Sequence, residues 1–123
     1  MKLNSFLTLA AIVAALFGLA FLLVPAWLVG LYGVSLTAAT AVVGCIAGSV
    51  ILAFAIVFWS ARNGNGAEAF KAVMIGGLVA NVLDGLILLR ATSAGLLNGL
   101  GWLQVLINGA LAAGFGYFVF GKR

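Results

Sequence analysis

One acid lies deep inside the hydrophobic stretches of this chain, Asp84, and three side-chain amides accompany it: Asn81 three residues earlier, and Gln104 and Asn108 in the next apolar run. On a helix, positions three and four apart share a face, so Val73, Gly77, Ala80, Asn81, Asp84 and Leu88 form one stripe. Gly101, Gln104, Val105, Asn108 and Ala112 form a second. A carboxylate is costly in hydrocarbon and should point into a helix bundle or a wet cavity, as an ion or as a protonated donor. Counted inward from Arg90 and from Gly99, Asp84 and Gln104 each lie roughly 8 to 9 Å inside one boundary, and Asn81 and Asn108 roughly 13 Å inside it. That register predicts Asp84 facing Gln104 and Asn81 facing Asn108, with Cys45 at a similar depth.

Two readings of the quartet stay open. It can cross-link two helices, each hydrogen bond contributing on the order of 0.6 kcal/mol. It can instead line a pocket in which Asp84 titrates and the amides orient a polar headgroup or small ligand. Arg90 lies six residues from Asp84, about 9 Å along a helix axis and on a different stripe, so a direct salt bridge needs side-chain bending. The chain has no His and a single Cys, which removes an intrachain disulfide, a His axial ligand and a His-containing zinc site. Nucleophilic or general acid–base chemistry would need a base beside Ser, Thr or Cys45, so no catalytic residue, cofactor or metal is expected.

The elements that carry these residues follow from composition. Of the 123 residues, 66% are hydrophobic and 7% charged, which is membrane-protein composition and not that of a soluble domain. Four apolar segments, Leu3 to Val24, Thr37 to Ser60, Ala67 to Arg90 and Gly99 to Phe120, are each long enough to cross a hydrocarbon core of roughly 30 Å. The expected architecture is an all-α polytopic membrane protein, a single domain over residues 1–123 built as an antiparallel bundle of four transmembrane helices. Lys2 before an alanine-rich apolar run resembles a secretory signal, but the run is as long as the other spans. Pro25 and Trp27 stand where small residues should mark cleavage, so a first transmembrane helix is expected. Lys2, Arg62, Lys71, Lys122 and Arg123 oppose Arg90 alone across the four spans, which under the positive-inside rule puts both termini in the cytoplasm. The net charge of +4 is then a topological signal and an attraction to anionic headgroups, with no nucleic-acid patch.

Small residues recur where backbones should approach: Thr8, Ala11, Ala15 and Gly18 in the first segment, Thr37, Ala41, Gly44, Gly48 and Ala55 in the second, and Gly77 in the third. Gly44 and Gly48 form a GxxxG pair that fits either a contact within the chain or a homodimer seam. Trp27, Tyr32 and Trp59 are expected as interfacial anchors, with the segment after Pro25 forming a short helical turn broken at Gly33. Thr37 or Ser35 can cap the second helix, and Asn65 with Glu68 resembles a capping box opening the third. The glycines of Arg62-Asn-Gly-Asn-Gly66 read as turn residues, since a phosphate loop would need a Lys followed by Ser or Thr.

Pro25-Ala-Trp-Leu-Val-Gly-Leu-Tyr-Gly-Val, the small-residue segment around Gly44, Leu78-Val-Ala-Asn81 and Gly114-Phe-Gly-Tyr-Phe-Val119 together resemble a family of small bacterial four-helix membrane proteins of the domain-of-unknown-function type. That family is distantly similar to DoxX-like proteins, some of which are subunits associated with membrane oxidoreductases. Where the family pattern often has an Arg before the glycine of the second helix, Val43 stands here, and no catalytic residue carries over. The resemblance implies a non-catalytic inner-membrane protein that is an accessory or assembly subunit of a larger complex. Its partners would be the lipid bilayer and other membrane subunits or a second copy. The alternative is a small carrier or binder of a lipid, quinone or proton using the polar quartet. An acid in the first helix, on which small multidrug exporters rely, is missing here, and the strong charge bias argues against a dual-topology channel.

Overall fold

A computed structural model describes residues 2–63 and 68–121. Among them the chain forms five helices and no strand: α1 (Leu3–Leu23), α2 (Pro25–Gly30), α3 (Ala38–Ala61), α4 (Glu68–Ser93) and α5 (Leu100–Phe120). α1, α3, α4 and α5 are long and apolar enough to cross a membrane. The chain divides into two compact units, Met1–Asn63 and Gly64–Arg123, each with its own helix pair. The expected cap of Asn65 and Glu68 lies outside the described residues.

In the first unit α1 ends because Pro25 supplies no N–H and forces Val24 out of the helical region, at φ −138° and ψ 56°. Pro25 then opens α2, where its missing donor costs nothing. α2 closes in a Schellman motif, with Gly33 N–H bonded to Gly30 at 3.1 Å and Val34 N–H to Val29 at 3.1 Å. That motif needs a left-handed residue, and Gly33 adopts φ +80°. The helix α2 is thus the turn expected after Pro25. Trp27 is exposed on it, Leu28 is buried, and burial pushes the half-buried Tyr32 phenol above its ordinary value, leaving it neutral at physiological pH. Thr37 caps α3, its hydroxyl accepting from Thr40 N–H at 3.2 Å while its own N–H donates to Thr40 Oγ1 at 2.9 Å.

α1 and α3 run antiparallel through their small residues. A Cβ placed on Gly18 would meet the Leu52 nitrogen at 2.7 Å, and one on Gly48 would meet the Leu22 nitrogen at 2.6 Å, so backbone touches backbone at both glycines. Gly48 is therefore a contact within the chain. Gly44 is looser, its added Cβ lying 3.4 Å from Pro25 Cβ. At the far end of the pair Asn4 Nδ2 donates to Asn63 Oδ1 at 2.6 Å.

In the second unit α4 and α5 are also antiparallel. Phe70 and Met74 of α4 and Phe115 and Phe118 of α5 are buried, and a Cβ on Gly77 would fall into the Phe115 ring. α4 ends in a second Schellman motif, Gly95 N–H to Thr92 at 3.1 Å and Leu96 N–H to Ala91 at 3.0 Å, with Gly95 at φ +80°. The helix therefore runs to Ser93, past the boundary expected at Arg90. Arg90 marks the approach to the helix end by charge, but the stop itself is Gly95. Just ahead of α5, whose N-cap is Gly99, Asn98 Oδ1 accepts from Leu100 N–H at 3.0 Å.

Candidate functional site

α4 and α5 position the four polar residues, and their register is set at the turn. Thr92 packs on Gly101, Gly85 lies opposite Asn108 at 3.7 Å from its Cβ to the added one, Gly77 holds Phe115, and Leu78 reaches Gly116. Asn108 thus faces Gly85, four residues beyond Asn81, one helical turn away from the expected partner. The cause is the length of α4. With its end at Ser93, Asn81 lies about 18 Å from that end, whereas Asn108 lies about 12 Å from the start of α5. The expected face of α5 does turn to α4: Gly101 and Asn108 are buried and Gln104, Val105 and Ala112 half-buried.

Two of the amides bond within their own helices. Asn81 Nδ2 donates to the Gly77 carbonyl at 2.8 Å and Asn108 Nδ2 to the Gln104 carbonyl at 3.1 Å, each four residues back on its own helix. Neither of these bonds crosses from α4 to α5. Asn108 is the more constrained, being 7% exposed.

Asp84 differs from all three. It is exposed, and it makes no hydrogen bond or ion pair with any described residue. Helical spacing places it on the flank of the α4 face that carries Gly77, Asn81 and Leu88 to α5. Arg90, also exposed, forms no ion pair with it. In the first unit the Cys45 thiol donates to the Leu22 carbonyl at 3.5 Å, one of the last carbonyls of α1 that the Pro25 break leaves without a helical donor.

Two contributors escaped the sequence pattern. Thr92 is buried with an unbonded Oγ1, pressed against Gly101, and Gly85 makes the space in which Asn108 sits. The signal for both was the turn glycine Gly95, which fixes where the two helices begin to pair. Among the described residues no group of three or more His, Cys, Asp or Glu side chains converges.

Four helices long and apolar enough to cross a membrane mark a multi-pass helical membrane protein. No protein-family model matches this chain, and neither a curated protein nor a solved structure matches it significantly.

Proposed function

We propose that this protein is a non-catalytic accessory or assembly subunit of a larger membrane complex, with Asp84 contributing to the surface that its partner covers. The observation that carries the reading is the state of Asp84, exposed on an apolar helix and unbonded. Lipid tails cannot solvate a carboxylic acid, so a polar group from another membrane helix, or water held between helices, must complete its environment. An asparagine or glutamine amide, a hydroxyl or a cation on the facing helix would each serve.

In this reading the four helices assemble as an antiparallel bundle in a bacterial inner membrane, with both termini in the cytoplasm as the charge bias directs. The resemblance to DoxX-like proteins points the same way, because some of those are subunits associated with membrane oxidoreductases. The second reading, a small carrier or binder of a lipid, quinone or proton, rests on the same residue, since an unbonded acid can also take up a proton or a polar ligand. Purification in mild detergent separates them. A stoichiometric membrane partner is expected to co-purify, while a chain that elutes alone with a bound small molecule would favour the carrier.

A further inference from the structure

Within residues 2–63 there is no acid, and the two cations, Lys2 and Arg62, stand immediately outside the spans that begin at Leu3 and end at Ala61. The antiparallel pairing of α1 and α3 brings them to one end of the unit, where the Asn4–Asn63 hydrogen bond ties the two chain segments together. Arg62 is held in place there. Its guanidinium carbon lies 3.9 Å from the centroid of the Trp59 ring, and its Nη1 donates to the Trp59 carbonyl. The same carbonyl also accepts the Arg62 backbone N–H at 3.4 Å, so main chain and side chain of Arg62 are both anchored on the last turn of α3. A guanidinium has five donors, so the others are left for a second partner, and neither Arg62 nor Lys2 forms an ion pair among the described residues. The Asn63 amide has its oxygen engaged by Asn4, which leaves its N–H groups as further donors.

From this arrangement we infer that the Lys2, Arg62 and Asn63 end of the α1–α3 pair is a binding site for the phosphodiester headgroup of an anionic glycerophospholipid. The site lies where a headgroup lies, one residue beyond each apolar span. Trp59, exposed beside it, has the amphipathic ring that prefers the same depth. A fixed guanidinium suits a phosphate because it loses little side-chain freedom on binding and offers a planar fork of donors. The chemistry required is a fixed negative charge with acceptor oxygens, which phosphatidylglycerol supplies and the zwitterionic phosphatidylcholine offsets with its own cation. Each basic residue near an anionic surface raises occupancy by about fivefold.

The test is native mass spectrometry of the full chain released from nanodiscs made with equal amounts of phosphatidylglycerol and phosphatidylcholine. Retained phosphatidylglycerol should exceed phosphatidylcholine, and Arg62→Gln and Lys2→Gln should each cut that preference by about fivefold. Arg90→Gln, which removes a cation from the other unit, should leave it unchanged. Circular dichroism confirms that the variants keep their helices, and Arg62→Lys, with the charge but not the fork, should retain part of the preference. Equal retention of the two lipids, an equal loss with Arg90→Gln, or displacement of the lipid by inorganic phosphate alone would each overturn the assignment.

Discussion

An added methyl at Gly48 would meet the Leu22 nitrogen at 2.6 Å and the Gly18 carbonyl oxygen at 2.8 Å, and neither backbone can step aside without moving a helix. At Gly44, four residues earlier on the same stripe, the nearest atom is 3.4 Å away and belongs to a side chain. Gly48→Ala should therefore destabilise the α1–α3 pair by about 1 to 3 kcal/mol, as overpacking does, while Gly44→Ala should be close to neutral. Thermal unfolding in detergent reads the difference, and equal effects would mean that the GxxxG pair acts as a unit against another surface. Thr92 gives the opposite sign. Its buried Oγ1 has no hydrogen-bond partner, so Thr92→Val removes an unsatisfied group at nearly constant volume. A gain of about 1 kcal/mol is expected in the same assay, and a loss would show that the hydroxyl is bonded in the membrane.

The helices themselves were legible from hydropathy, because a span of apolar residues bounded by polar ones has only one solution in lipid. Pro25, Gly33 and Thr37 also gave their meaning locally: a missing donor, a left-handed turn and a hydroxyl cap are properties of single residues. What the pattern could not supply was the register of α4 on α5. Depth was measured from Arg90, a charged residue, whereas the chain measures it from Gly95, whose positive φ permits the turn. An error of three residues at the helix end becomes one turn at Asn81, enough to exchange its partner. Nor does periodicity reveal that an asparagine can spend its donor on its own helix, as Asn81 and Asn108 both do. The observed register is open to a direct check by cysteine pairs in a Cys45→Ala background. Gly85→Cys with Asn108→Cys should cross-link readily, since the two Cβ positions are 3.7 Å apart and a disulfide needs about 3.5 to 4.5 Å. Asn81→Cys with Asn108→Cys should not, and the reverse result would restore the register counted from Arg90.

On the scale of the whole molecule, charge and one acid carry the functional reading. Five basic residues against one across the four spans predict that reporters before Lys2 and after Gly121 lie in the cytoplasm, and that one in the 94–99 connection lies outside. Reporters placing the two ends on opposite sides would contradict a four-span chain. The membrane supplies the apolar faces with lipid, but it supplies nothing for Asp84, and this is why an assembly partner enters the account at all. The most direct measurement is therefore co-purification from native membranes in mild detergent, comparing the parent chain with Asp84→Asn and Asp84→Leu. An amide keeps the hydrogen-bonding shape and should retain the partner, whereas leucine leaves the facing polar group unsatisfied and should release it while the helices remain intact by circular dichroism. Retention of the same partners by Asp84→Leu, or an Asp84→Asn chain that keeps its partners but loses a pH-dependent binding or transport activity, would contradict the role assigned to Asp84.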